Sequence, residues 1–231
     1  MLFLSTSKSS HRQHCMKKKI PAKKKILEKQ ASDSYHHGDL KKAIILKSEE
    51  ILEKAGIEGL SLRDIAADLG VSHAAPYRHF PRKIDLLFIL AIRGFRDLAE
   101  EMRLAWESSE NPVERLRSSG TRYVKLALKH PRRTELMFGG TLACESEVPE
   151  ELEAIGKEAF MGLFRIIEDG QARGIFRSGD PLGFSFTLWS LVHGFAVLIN
   201  GKQIPPQVFQ DRSLDTILES SLSSILDGVV L

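Results

Sequence analysis

"SLRDIAADLGVSHAAPYRHFPRK", residues 61–83, decides how the rest of the chain is read. Ser61 with Asp64 three residues on is an Asp version of the capping box that opens a helix. Leu62, Ile65, Ala66 and Leu69 set one apolar stripe along two helical turns, and Gly70 closes them. Ser72 can cap a second short helix, running to Phe80, after a link of only Gly70 and Val71. Two short helices across a glycine turn form a helix-turn-helix, with Ala66 and Ala67 small enough for close approach. Pro76 disturbs the second of them. It falls at the fourth helical position, removes the first intrahelical hydrogen bond and crowds the Ser72 carbonyl, so the first turn must distort or start later. Val71, Ala75 and Phe80 are expected to face inward, and His73, Ala74, Tyr77 and Arg78 outward. Small residues let a backbone approach base edges, while Tyr and His donate to phosphates, so this outer face suits a DNA major groove. Arg82 and Lys83 open the next helix against its dipole, at a cost of a few tenths to about 1 kcal/mol that a docked phosphate would reverse.

Outward from this stretch the periodicity stays helical. Helices are predicted at 39–55, 83–106, 112–129, 132–142, 149–173, 181–200 and 211–230, which with the two short ones makes nine helices and no sheet, an all-α chain. Net charge is only +3, yet residues 1–32 carry nine Lys or Arg against Glu28, so this flexible-looking arm is +8 and the remainder −5. A basic arm on an acidic body suits a polyanion such as DNA, and equally a plain solvated tail. The two cysteines, Cys15 and Cys144, make no disulfide framework and fit a reduced, cytoplasmic setting. "MLFLSTSKSSHRQHC" lacks the charged and apolar regions of a secretory signal, and Met16 before "KKKIPAKKK" is a candidate start. Residues 181–201 hold no Asp, Glu, Lys or Arg, enough length for a membrane span, but Ser185, Thr187, Ser190, His193, Asn200 and three glycines interrupt them. A helix buried on two sides by protein is the expectation. No G-x-S-x-G, phosphate-binding glycine loop or H-E-x-x-H is present, and His36 and His37 are adjacent, so no catalytic residue, metal site or cofactor is expected.

Residues 35–87 resemble the DNA-binding domain of the TetR family of bacterial transcriptional regulators without a gap. "WSLVHG", residues 189–194, resembles the Trp-His-Gly signature of one class of TetR-family C-terminal domain. The resemblance implies a homodimer with a three-helix DNA-binding domain at 35–82 behind the arm at 1–34. It implies a C-terminal effector-binding and dimerisation domain at 83–231, whose last two long helices form an intersubunit four-helix bundle. A small molecule bound there would release operator DNA. The matching phosphate contacts are Tyr77 and Lys83; the matching groove positions are Arg63, Ser72, His73 and Ala74, together with His79. Pro76 departs from the family pattern and puts any borrowed operator sequence in doubt.

The helices at 181–200 and 211–230 carry more apolar surface than one core needs, which points to a self-complementary interface through Leu191, Phe195, Leu214, Ile217, Leu218, Ser221, Leu222 and Ile225. An ordinary buried core helix is the competing reading. Met137, Phe138, Phe160, Phe164 and Trp189 are candidate walls of an apolar effector pocket. His193, four residues from Trp189, is either a polar contact in that pocket or a buried histidine satisfied by a neighbouring carbonyl. The function expected is a transcriptional repressor released by a small apolar effector. The alternative is a helical protein that sequesters a small molecule, its DNA binding weakened or lost through Pro76. If the arm binds phosphates, removing residues 1–32 lowers DNA affinity, and the slope of log K against log salt flattens by about 0.9 for every phosphate the arm neutralises. An unchanged slope in an anisotropy titration leaves the arm with no part in binding.

Overall fold

The computed structural model describes residues 37–210 and 212–230; the arm at 1–34, with Cys15, lies outside them. Nine α-helices run in order: α1 (His37–Ala55), α2 (Leu62–Asp68), α3 (Lys83–Glu107), α4 (Pro112–Lys129), α5 (Pro131–Phe138), α6 (Glu150–Ala172), α7 (Pro181–Asn200), α8 (Pro206–Phe209) and α9 (Leu214–Val229). The only pairing of extended chain among the described residues is an isolated antiparallel bridge between Phe176 and Val230. The number nine agrees with expectation, but its membership differs. The second helix of the helix-turn-helix is a single 3-10 turn, Pro76–Arg78, and the short α8 replaces it in the count.

Local chemistry fixes most boundaries. The Ser61 hydroxyl accepts the Asp64 N–H at 3.3 Å and starts α2. Gly70 stops it with φ of 67°, a left-handed value that suits a residue without Cβ. Asn111, Asp180 and Ser213 cap α4, α7 and α9 in the same way, each accepting a backbone N–H of the first turn. At α3 the expected clash of Arg82 with the helix dipole is answered internally. Asp85, one turn in, accepts the Arg82 N–H at 2.9 Å and pairs with its guanidinium at 2.6 Å. The Arg82 hydrogen bonds hold the Asp85 carboxyl below the usual carboxylate range.

One apolar core runs through the described chain, from Leu40 and Ile44 of α1 to Leu226 and Val229 of α9. α3 is its spine, with Leu87, Phe88, Ala91, Phe95, Leu98, Met102 and Ala105 buried as their spacing predicts, against α4, α5 and α6. Ala66 is fully buried between the short helices, whereas Ala67 points to solvent and plays no packing part. α7 overturns its expectation. It is not covered on two sides: Phe186 is 57% exposed and Leu191 50%, with Leu182, Val197 and Leu198 also open. Gly170 in α6 lies under the ring of Phe176, where an added Cβ would sit 2.0 Å from Phe176 Cδ2. Phe176 is buried and its N–H is tied to the Gly170 carbonyl at 3.0 Å, so the ring cannot swing away freely. Gly170→Ala should therefore cost about 1–3 kcal/mol, lowering the melting midpoint by roughly 2–12 °C in a calorimetric scan.

Candidate nucleic-acid interface and ligand cavity

The turn after α2 is shaped by Pro76. Ala75 has helical angles and Pro76 is the first residue of the 3-10 turn, a position that needs no N–H donor. The Ser72 carbonyl, which a proline ring would crowd in a full α-helix, instead accepts the Ala75 N–H at 2.9 Å. The Pro76 carbonyl accepts from both His79 (3.0 Å) and Phe80 (2.9 Å). Pro76 and Phe80 are buried and Val71 and Ala75 half-buried, so the proline ring is an anchor of the turn rather than a defect in it. Ser72, His73, Ala74, Tyr77 and Arg78 are exposed on the other side, with Tyr77 open to 47%. Arg63 is exposed on α2, and His79 is half-buried at the end of the turn. The inward and outward sets are those the sequence predicts, carried on a turn instead of a helix. Lys83 differs: it is half-buried and its ammonium donates to the Ile57 carbonyl at 2.6 Å, bracing α3 on the loop after α1. An ammonium has three donors, so two remain for a phosphate.

A cavity of about 1420 Å³ lies in the other half of the molecule, among α3, α4, α5, α6, α7 and α9. Of the predicted wall, Met137, Phe138, Phe160 and Trp189 line it; Phe164, one turn beyond Phe160 on α6, does not. Its aromatic wall is continuous: Phe138 stands edge-on to Phe95 at 5.3 Å, and Trp189 lies 5.5 Å from Phe138 and 6.1 Å from Phe186 between ring centroids. His193 stands behind this wall. Its Nδ1 is 2.7 Å from the Tyr123 hydroxyl, and its ring packs edge-on to Phe138. It is thus a satisfied histidine, with a tyrosine as partner where a carbonyl was expected. Tyr123 and Ser119 are buried polar residues of α4 that reach the cavity, and that they do so follows from the tertiary packing of α4 on α7. Burial raises the Tyr123 phenol and lowers His193, so both are held neutral.

Three of the predicted interface residues face inward. Ile217, Leu218 and Leu222 are 6%, 3% and 4% exposed, because α9 lays its apolar stripe on α4, where Leu222 fills the space above Gly120. Leu191 is open, while Phe195, Leu214, Ser221 and Ile225 are half-buried. The free apolar surface therefore belongs to α7, and α9 offers mainly Asp215, Thr216, Ser220 and Ser224 outward.

Comparison with known proteins places both halves. Residues 44–89 match the profile described as bacterial regulatory proteins, tetR family, and residues 116–221 that of the tetracyclin repressor-like C-terminal domain. The transcriptional repressor KstR of Mycolicibacterium smegmatis is 23% identical over 146 residues, 63% of this chain and 72% of its own length. Its Rhodococcus jostii counterpart is 25% identical, and the chain spans only about half of it, 54%. A solved protein of unknown function from Rhodococcus sp. RHA1 superposes with a TM-score of 0.76 at 29% identity, over 87% of this chain and all of its own. AibR, solved with isovaleryl coenzyme A and operator DNA, shares the fold at a TM-score of 0.54 and 23% identity, over 81% of this chain and 94% of its own.

The lowered His193 gives a signed pH dependence. The unfolded chain takes up this proton near pH 6.5 and the folded chain only below that. The contribution is complete above about pH 6.5 and is lost as the pH falls from there through the lowered folded value. His130, also lowered chiefly by burial, acts in the same sense. The melting midpoint should fall between pH 7.5 and 5.5, and His193→Gln should flatten that fall; an equally steep curve in the variant removes His193 as a cause.

Proposed function

This chain belongs to the TetR family of bacterial regulatory proteins, and from that premise we propose that it is a cytoplasmic homodimeric repressor whose hold on operator DNA is ended by an apolar effector. Members of the family are DNA-binding regulators of transcription that answer to small molecules. The observation that carries the particular reading is the exposed set Ser72, His73, Ala74 and Tyr77 on a turn locked by Pro76 and Phe80, with a separate large cavity beyond α3. Tyr77 and Lys83 are assigned to phosphates, and Arg63, Ser72, His73, Ala74 and His79 to the groove. Ala74, small and exposed just before the 3-10 turn, supports a close approach of the backbone to base edges.

The exposed apolar face of α7 supports a second copy as its cover. The helix has the length and hydropathy to cross a membrane. Gly183, Thr187, Ser190 and Asn200 among its exposed positions, and its packing on α4 and α6, favour helix-on-helix contact instead. In a dimer the two reading turns enter successive major grooves when they stand one helical turn apart, about 34–36 Å. An effector must prefer one separation by roughly 5.5 kcal/mol to switch it fully. Two struts connect cavity and DNA surface. α3 begins at Lys83 and lines the cavity with Phe95, Leu98 and Met102. α5 lines it with Met137 and Phe138, while at its other end Glu53 of α1 accepts the Arg132 and Arg133 N–H groups, both at 3.3 Å. A displaced Phe138 is thus felt at α1.

Anisotropy titration against the DNA beside the protein's own gene tests the reading. Specific binding near 10⁻⁸–10⁻¹¹ M, far tighter than random DNA, is expected. Tyr77→Phe should weaken it by about tenfold, in line with removal of a charge-assisted hydrogen bond of ~1.5 kcal/mol, without changing the melting midpoint. Equal, strongly salt-dependent binding to both DNAs would instead favour the small-molecule-sequestering reading.

A further inference from the structure

The cavity is apolar inside and acidic at its lip, and the two facts together restrict what can enter. Its charged lining residues are Arg117, Glu150, Glu153 and Lys157. Arg117 is already used: its guanidinium lies 3.0 Å from Glu219 and 3.3 Å from the Ser223 hydroxyl. Glu150, Glu153 and Lys157 are exposed side chains of the first two turns of α6, so they stand at the mouth. Among the described residues none of these three makes an ion pair within 4 Å. The segment they belong to, residues 145–158, holds six glutamates and one lysine; Glu151 pairs with Arg96 of α3, and Glu145 and Glu147 lie within electrostatic reach of Arg82. Part of this acidity has a local use, since carboxylates suit a helix N-terminus. The helix end offsets only about half a charge, however, and with Arg82 close enough to act on Glu145 and Glu147, Glu150, Glu153 and Glu158 are left with no ion pair among the described residues. Deeper in, no charged side chain lines the wall; the polar groups there are the Ser119 hydroxyl, which donates to the Leu116 carbonyl, and the Tyr123 hydroxyl, held neutral with its neutral partner His193.

We infer, resting on the reading of this cavity as the effector site, that the effector is an uncharged, largely hydrocarbon molecule and that Glu150 and Glu153 reject anions at the entrance. An anion meets two carboxylates against one ammonium, Lys157, at the mouth, and the one guanidinium of the lining, Arg117, is already paired with Glu219, so little repays its lost hydration. Carboxylates, sulfates and the several phosphates of coenzyme A thioesters are all disfavoured by the same lip. A free cation is welcome at the mouth but has no carboxylate to follow it into the interior. The volume of about 1420 Å³ exceeds the ordinary 300–1,000 Å³ of ligand pockets, which suits a bulky or multi-ring body. Tyr123 supplies one hydrogen-bonding point for an oxygen on that body.

A matched pair of probes separates charge from shape. N-phenylnaphthylamine is uncharged, and anilinonaphthalene sulfonate is the same skeleton with one negative charge; both brighten in apolar surroundings. Energy transfer from Trp189, in a Trp106→Phe background, reports that the probe sits at this wall. The uncharged probe should bind at least about tenfold tighter than the sulfonate, and a Glu150→Gln/Glu153→Gln variant should shrink that ratio to about threefold or less. Comparable binding of the two probes by the parent protein overturns the charge inference and leaves the cavity standing as a site. A ratio that survives the double substitution overturns the role of the two glutamates. Absence of any signal from the uncharged probe near Trp189 overturns the cavity as effector site, and this inference with it.

Discussion

The contact of α3 with α6 is the one on which the remaining arrangement depends. The two helices meet closely because α6 has glycine where α3 brings its side chains: a Cβ at Gly162 would lie 2.5 Å from Met102 Cβ. With this contact made, α4 closes one side and α7 is laid across α4 and α6. The space left among them is the cavity. The same spine carries Lys83 and Arg82 at its far end, beside the reading turn. Pressure on the cavity wall is therefore also pressure on the base of the DNA-facing unit, because an α-helix of 25 residues transmits a tilt with little bending.

How far the sequence could be read depended on whether a signal was local. Capping residues, glycine stops and the 3.6-residue stripe are local, and α4 and α7 fall where they predict. The faces of residues 71–80 were legible for the same reason, although their conformation was not. Patterning says which side is buried, but the choice between an α-helix and a 3-10 turn depended on the hydrogen bonds left once Pro76 had removed one. The errors lie where two surfaces compete for one apolar stripe. Ile217, Leu218 and Leu222 look identical in sequence whether they meet another subunit or α4 of their own, and only Gly120 on α4, making room for Leu222, decides between them. Phe164 and Phe160 differ by one turn, and the sequence holds nothing that says which of them borders empty space.

Buried charge was the other illegible feature. Arg115 is 5% exposed, stacked with its guanidinium carbon 4.0 Å from the centre of the Trp106 ring and paired with Asp169 at 3.1 Å. Arg133 is 8% exposed and pairs with Asp97 at 2.8 Å. A buried guanidinium paired with a partly exposed carboxylate is weak evidence of net stability, because desolvation of the guanidinium offsets much of the attraction. Their value is geometric: Arg133 fixes α5 against α3, and Arg115 fixes the turn before α4 against the end of α6. Both act at corners where a rigid strut must keep its angle while the space between struts stays empty.

Phe186 joins the cavity to the surface on which a second copy would sit. It lines the cavity, stands 6.1 Å from Trp189, and is still 57% exposed on α7. A ring shared in this way cannot change place on one side without changing the other. In the proposed dimer, an effector that displaced Trp189 would alter the shape of the α7 face and, with it, the angle between two copies. The distance between the two Tyr77-bearing turns would follow from that angle, amplified along α3. On that reading α5 and α7 would be separate levers on the same outcome, one within a subunit through Glu53 and one between subunits through Phe186. Their contributions would differ in kind: the first would shift a DNA-facing unit against its own core, and the second would shift whole subunits. Dilution below the dimer's dissociation constant would abolish only the second.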